Sequence, residues 1–425
     1  MQRRVVITGR GVASPLGVGV ERHREMLLSG QSVLRPSLRL ASLGFPPCSV
    51  GEIPEETIKK SAASIPQRQK KLMSRAGVLA AIASFLAAEE AALGGSEVEP
   101  TRVGIFLATW FTFYDLRSFI RNMVDAESRQ RPFTMDQERA NRRCLETMNP
   151  VDSLKLLPNL TAGHLAIFHQ AQGASRVIAD GWTGGLLALS QAAQTIRDGE
   201  LDMVLAGGSE SPLEEGVFCD LLTLDVVARD GGGPETLCRP FDSRRSGMVL
   251  GEGAGVVVLE ERGHALKRGA TIFGEIVGSA STAPMPGERE GTLSLAIKNA
   301  LKESRIEAQE VDLVHANGDA TTGNDRAEWR AIQDVFGPHA AHLPITATKS
   351  LHGHLLSAAG PVELVSSLIM LEEGIVPPIA NCERPDPECD LDLVIGQPRK
   401  KSGMRFALLN ALGLFGEGAS LVIRR

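Results

Sequence analysis

Few side chains in this sequence could do covalent chemistry. Six cysteines stand at Cys48, Cys144, Cys219, Cys238, Cys382 and Cys389. No CxxC pair occurs, and no cysteine pair has zinc-ligand spacing with a histidine beside it, so no metal and no cofactor is called for. Cysteines of this kind in a long intracellular chain are free, mostly buried thiols. One at a helix N-terminus would instead be a nucleophile, because the helix dipole favours the thiolate. Whether any of the six holds such a position decides the chemistry. Arg68, Lys70, Lys71 and Arg75 cluster where a helical pattern begins, with Arg142 and Arg143 as a similar pair. They could meet an acidic partner or form a solvated helix face.

The elements that must position these groups follow from hydrophobic periodicity. Short apolar runs at 4–8, 103–107, 177–179, 203–206, 254–259, 273–277, 311–315, 407–410 and 419–423 read as strands. Several are apolar on both faces, as strands between helical layers are. Helical patterns cover 20–28, 67–93, 183–197, 293–304, 327–335 and 354–371. Their alternation predicts an α/β protein with largely parallel sheets. Two internal echoes point to duplication. Residues 251–254 and 416–419 both read Gly-Glu-Gly-Ala, at an offset of 165 (416 − 251). Residues 184–187 (Gly-Gly-Leu-Leu) and 353–356 (Gly-His-Leu-Leu) repeat at 169 (353 − 184). The halves are expected to meet near 261–271.

Composition bounds the rest. The 425 residues carry a formal charge of −6, which argues against nucleic acid as the main partner. No run of about 18 apolar residues predicts a membrane span. The first residues pass from two arginines straight into a strand-like run, so a cytoplasmic location is expected. Of 18 aromatic residues (14 Phe, 3 Trp, 1 Tyr), six crowd into 106–119: Phe106, Trp110, Phe111, Phe113, Tyr114 and Phe119. They either fill a local core or line or block a cavity.

Longer motifs carry a resemblance. Arg239-Pro240-Phe241-Asp242 runs on to 247–255 (Gly-Met-Val-Leu-Gly-Glu-Gly-Ala-Gly). Downstream come Thr348-Lys349-Ser350, Gly353-His354 and a glycine-rich C-terminal strand. With Val6-Ile7-Thr8-Gly9, Ser14-Pro15-Leu16-Gly17 and Ala206-Gly207-Gly208-Ser209-Glu210, they resemble the β-ketoacyl-acyl carrier protein synthases over essentially the whole chain. The resemblance implies the thiolase fold, a duplicated α/β unit in a five-layer αβαβα architecture. Residues 1–262 would form one half and 263–425 the other. It also implies a cysteine thiolate that takes the acyl chain from its carrier, and two imidazoles that stabilise the enolate left when CO2 departs.

Three positions depart from that pattern. The family's nucleophile sits in a Thr-Ala-Cys-Ala/Ser-Thr-Gly run, after a strand and opening a helix. Here the run is Ala179-Asp180-Gly181-Trp182-Thr183-Gly184, and Gly181 stands where cysteine should. Asp180 and Thr183 have no activating base beside them and read as cap and first-turn residues. The family's Asn-Ala-His-Gly-Thr-Ser-Thr run is here His315-Ala316-Asn317-Gly318-Asp319-Ala320-Thr321, which puts Asn317 at the histidine position. His315 lies two residues earlier, about 6–7 Å along a strand. The second histidine is kept as His354, and Lys349 and Glu328 match the family's active-site lysine and accompanying glutamate. The C-terminal loop, Gly-Phe-Gly-Gly-Thr-Asn in the family, reads Gly413-Leu414-Phe415-Gly416-Glu417-Gly418. The gate is therefore Leu414, and Phe415 is expected to fill the pocket.

Nucleophile, acid/base residue and gating loop are lost together. The chain looks like a chain-length factor of a type II polyketide synthase, a non-catalytic subunit that pairs as a heterodimer with an active ketosynthase and shapes the acyl tunnel at their interface. The best-known aromatic-polyketide versions carry glutamine at the cysteine position, so a polyene or aryl polyene pathway is the suggested setting. Trp110, Phe111, Phe113 and Tyr114 are the tunnel-cap candidates, and 148–164 resembles the segment that faces the twofold axis in relatives. Acyl carrier protein is the second implied partner, with Arg68, Lys70, Lys71 and Arg75 as docking candidates. The alternative is a residual enzyme such as a malonyl-carrier-protein decarboxylase, which needs oxyanion donors but no nucleophile.

Overall fold

The structure is a computed structural model and describes residues 3–46, 48–93, 98–110, 116–126, 134–228, 237–284 and 291–425. Ten principal strands follow in chain order. β1 (Val5–Ser14), β2 (Val103–Ala108), β3 (Ser175–Ile178), β4 (Met203–Glu210) and β5 (Gly253–Glu261) precede β6 (Gly274–Thr282), β7 (Leu313–His315), β8 (Ile345–Thr346), β9 (Phe406–Leu412) and β10 (Gly418–Arg424). The first five are ordered β3-β2-β4-β5-β1, and the last five β8-β7-β9-β10-β6. In each set the first three strands are parallel and the last two antiparallel. The second set is the first shifted by five, and antiparallel pairing of Val5 with Ile276 and Ile7 with Gly274 joins them. The two echoes fall at matching places. One opens β5 and β10; the other opens the helix after β3 and immediately precedes its counterpart after β8.

Five helices build the layers: α1 (Arg75–Glu90), α2 (Gly184–Arg197), α3 (Thr292–Ser304), α4 (Thr322–Phe336) and α5 (Ala359–Glu373). Alternate strand residues face opposite sides of a sheet, and the core divides accordingly. Val257, Leu259, Leu409, Leu421 and Ile423 pack on Leu186, Leu189, Val362 and Val365 of the central helices α2 and α5. Their neighbours Val256 and Val258 face Leu79, Ile82 and Ala83 of α1. Val314, Leu408 and Val422 face Leu293, Ile297, Trp329 and Ile332 of α3 and α4. The order is helix, sheet, helix, sheet, helix, as the resemblance implied. α5 is apolar on nearly all sides and buried throughout Ala359–Leu371, as a central helix must be.

β1 and α1 approach so closely that a Cβ on Gly11 would run into the Ala83 carbonyl oxygen. The chain meets this with glycine on the strand and alanine on the helix.

Two expected helices are corrected. The 67–93 pattern is broken, with a turn at Gln67–Lys70 separate from α1. Ser74 stops continuity because its hydroxyl accepts the Gly77 N–H at 3.1 Å and caps α1. The 354–371 pattern starts later, at Ala359, after a 3-10 turn at Leu356–Ala358 whose first residue has φ +49°. Between β2 and β3, helices Leu116–Asp125, Gln137–Thr147, Pro150–Lys155 and Pro158–Phe168 form an insertion that periodicity did not resolve. Among the described residues no helix is long and apolar enough to cross a membrane.

Candidate functional site

β3 ends at Ile178, and the chain turns through Asp180 and Gly181 into the single turn Gly181–Thr183 that leads into α2. Gly181 has φ +56°, a region L side chains rarely adopt. Its carbonyl accepts the Ser357 hydroxyl at 2.9 Å, which pins the turn to the other half of the fold. Thr183 donates its hydroxyl to the Asp180 carbonyl and carboxylate, both at 3.0 Å, which braces the turn, although neither side chain caps a backbone N–H as expected. The geometry is a strand-to-helix elbow with a glycine in its turn. A Cβ at Gly181 would stand 3.6 Å from Glu417 Oε1.

None of the six cysteines reaches this elbow; all are free. Cys238 touches Lys349, donating its thiol to that residue's carbonyl at 3.2 Å. It is fully buried, and burial pushes that thiol up to about 12, so no thiolate is available there.

His354 keeps a usable donor. Its Nδ1 accepts the Leu356 N–H at 2.9 Å, which leaves the proton on Nε2. Nε2 is buried and has no hydrogen-bond partner among the described residues. Burial holds the imidazole well below its usual range, reinforced by the nearby Lys349 charge, so the ring is neutral. The indole of Trp182, only 2% exposed, lies over it with ring centroids 5.1 Å apart.

Asn317 holds the backbone together. Its side-chain oxygen accepts the Leu412 N–H at 3.2 Å and its amide nitrogen donates to Asp319 at 3.1 Å, so it ties β9 to the loop after β7. His315 is engaged on both nitrogens, with Ser367 at 2.8 Å and Thr348 at 2.9 Å, and is packing structure. Lys349 donates to the Asn317 carbonyl and to Glu363 Oε1, each at 2.6 Å. Glu328 accepts the N–H groups of Asn317 and Gly318 at 2.8 Å, and burial pushes its carboxyl up to about 7. The ion-pair partner of Lys349 is thus Glu363, which the motifs did not name. Its signal was a lone carboxylate in the apolar run of α5.

The C-terminal loop departs from expectation. Leu414 packs against the cluster of Trp182, Phe218, Met248 and Leu356. Phe415 is 63% exposed and does not fill the pocket. The turn aims its side chain outward, while its N–H donates to Glu417 Oε2 at 3.1 Å. Glu417 folds back over its own loop instead, and its side chain occupies the space a Cβ on Gly413 would need.

Among the tunnel-cap positions, Trp110 packs against the same cluster as Leu414. Phe111, Phe113 and Tyr114 lie outside the described residues. Arg75 is no docking residue. Its guanidinium is held by both oxygens of Glu252 at 2.6 Å, by Glu55 at 2.6 Å and by the Ile53 carbonyl, so it stitches α1 to β5. Arg142 pairs with Glu138, and Arg143 with Asp125 and Glu146. Arg68 and Lys71 are exposed and Lys70 partly so. The 148–164 segment carries the exposed apolar side chains Met148, Leu154, Leu156 and Leu157, with Ile167 just beyond at 67% exposure. Beside it, β3 pairs with β2 and, among the described residues, with no strand on its other side, so it is a sheet edge.

Comparison with known proteins agrees with this architecture. The chain matches the family descriptions "Beta-ketoacyl synthase, N-terminal domain" over residues 2–265 and "Beta-ketoacyl synthase, C-terminal domain" over 270–383. It is 34% identical over 437 residues to Nodulation protein E of Rhizobium leguminosarum bv. trifolii, covering 100% of both chains. Among solved structures it resembles the ishigamide ketosynthase/chain length factor, with TM-score 0.85, 28% identity and coverage of 100% of this chain and 99% of that one. It also resembles a chain of a type II PKS acyl-carrier protein complex with its ketosynthase bound to the hexaketide, with TM-score 0.84, 28% identity and full coverage of both chains. Matching descriptions across both halves, a full-length relative at 34% identity and full-length structural similarity lead to one conclusion: the chain belongs to the beta-ketoacyl synthase family.

Proposed function

We propose that this chain is a non-catalytic, chain-length-factor-type subunit. It pairs with an active ketosynthase and shapes the acyl tunnel in type II polyketide, polyene or aryl polyene biosynthesis. The observation that carries the reading is Gly181 at φ +56° in an otherwise preserved elbow, with no cysteine able to take its place. Asn317 supports it, since its amide is spent on Leu412 and Asp319 and cannot exchange a proton. In this reading residues 1–262 carry the vacant elbow, and 263–425 carry Asn317 and His354.

The apolar face around Leu157 and Ile167, continuous with the β3 edge, is the surface proposed to meet the ketosynthase. Trp110 with Phe111, Phe113 and Tyr114 would cap the tunnel. Arg68, Lys70 and Lys71 would meet the acidic carrier protein, without Arg75. Similarity to a solved ketosynthase/chain length factor and to a solved acyl-carrier protein complex with its ketosynthase supports these partners.

Co-expression with the ketosynthase encoded beside it, followed by sizing, tests the proposal. A stable one-to-one complex with product formation only in the pair is expected. A stable monomer that ignores the ketosynthase, or CO2 release from malonyl-carrier protein by the chain alone, contradicts it.

A further inference from the structure

Glu417 faces the vacated elbow. Its Oε1 stands 3.6 Å from where a Cβ on Gly181 would be. Its Oε2 accepts the Phe415 N–H at 3.1 Å, so one backbone donor of the loop beside the elbow is already turned toward the chain's own carboxylate. The turn that holds it is tight. Gly416 has φ +95°, the Gly413 N–H donates to the Glu417 carbonyl at 2.8 Å, and any side chain at Gly413 would collide with the Glu417 carboxyl group. Next to Trp182 of the elbow, with ring centroids 5.1 Å apart, the buried His354 Nε2–H has no partner among the described residues. The site therefore offers a neutral donor at His354 and a fixed acceptor at Glu417.

We propose that Glu417 is a specificity-determining residue: an internal anion seated at the elbow that excludes anionic groups, whether a thiolate or the carboxylate of a malonyl unit, and leaves room only for neutral acyl chain. This deepens the non-catalytic reading and rests on it. Gly181 removes the nucleophile, and Glu417 makes the same spot unfavourable for a negative charge, because like charges at this separation disfavour each other's ionised form.

The charged groups around the elbow define the control. Asp180 is also acidic and adjacent, but its side chain is exposed and already accepts the Thr183 hydroxyl. Lys349 is committed to Glu363. Glu417 is thus expected to dominate, and Asp180 to contribute little.

The test installs a reporter thiol with Gly181→Cys. Labelling at position 181 by iodoacetamide is followed by peptide mass spectrometry at pH 7.5, in the complex with the ketosynthase. Adding Glu417→Gln is expected to raise the labelling rate by about tenfold, because one unit of thiol pKa is a factor of ten in thiolate. Adding Asp180→Asn instead is expected to change it less than about threefold. No rise with Glu417→Gln, or an equal rise with Asp180→Asn, overturns the proposal.

Since a side chain at φ +56° is strained, a second measurement leaves Gly181 intact. Malonyl-pantetheine and acetyl-pantetheine are titrated into the wild-type complex and the Glu417→Gln complex, each formed with a ketosynthase whose own site is blocked by alkylation. Glu417→Gln is expected to strengthen malonyl binding about tenfold relative to acetyl. An unchanged ratio overturns the proposal. Failure of the non-catalytic reading would show separately, as an acyl adduct on wild-type chain, whatever Glu417 does.

Discussion

Lys349 Nζ lies 2.6 Å from Glu363 Oε1, and each side chain is only 1% exposed. Lys349 stands between the two halves of the site, since its ammonium also holds the Asn317 carbonyl at 2.6 Å. Breaking such a pair costs more than the pair contributes, because the survivor is left buried and charged. Lys349→Met is expected to lower stability by about 3–5 kcal/mol, and Lys349→Met with Glu363→Leu to recover most of that. Urea denaturation of the three proteins checks this. Equal losses in single and double variants would mean that packing, not charge, is the role of the pair.

Acid should destabilise the fold over a definite window. His23 and His352 are fully buried, and burial lowers them to about 4 and about 3; His315 and His354 are also held well below the usual range. In the unfolded chain these rings take up protons as pH falls through about 6.5, while the folded chain resists until much lower pH. Their contribution is complete above pH 6.5 and is lost progressively toward pH 4. Glu328, raised to about 7, acts in the opposite sense, stabilising less as pH rises from about 4.5 to 7, and burial also raises Asp325 and Glu363, but these are three groups against six, since His164 and His169 are lowered too. The urea midpoint is expected to fall steeply between pH 6.5 and pH 4. A flat profile would contradict neutral buried rings.

The contact of β1 with α1 should tolerate no added carbon. A Cβ at Gly11 meets the Ala83 carbonyl oxygen, and one at Gly9 meets that of Ala87. Gly11→Ala is expected to cost about 2–3 kcal/mol through forced separation of helix and strand. Gly269→Ala makes a useful reference, since nothing lies within 4 Å of its added carbon, although its φ of +69° carries a strain cost of its own. Thermal melts of both variants report the difference. A milder effect at Gly11 than at Gly269 would count against rigid packing there.

Leu157→Asp and Ile167→Asp separate folding from assembly. Both side chains are exposed, so the folded chain should barely notice the change. If this face meets the ketosynthase, each charge is buried on assembly and should weaken the complex at least tenfold. Sizing with unaltered melting temperature checks it. Full retention of the complex by both variants would move the interface elsewhere.

The layered fold was legible because its strands are apolar on both faces and its motifs keep a fixed order, which also located Gly181 and Asn317. What was missed depends on approach through space. Arg75 looked like the exposed start of a helix, yet its partner Glu252 is 177 residues away in sequence. The break before Arg75 rests on one serine hydroxyl in an otherwise continuous pattern. Phe415 and Glu417 lie two residues apart, and only the turn geometry decides that the phenyl ring points out and the carboxylate points in. Glu363 was masked by the apolar helix that buries it.

The central claim is that this chain holds no acyl group. The proposed complex with a ketosynthase is incubated with acyl-loaded carrier protein, quenched, and both subunits are weighed by intact-protein mass spectrometry. The expected result is an acyl adduct on the ketosynthase subunit alone, with the mass of this chain unchanged. An acyl adduct on this chain would contradict the account.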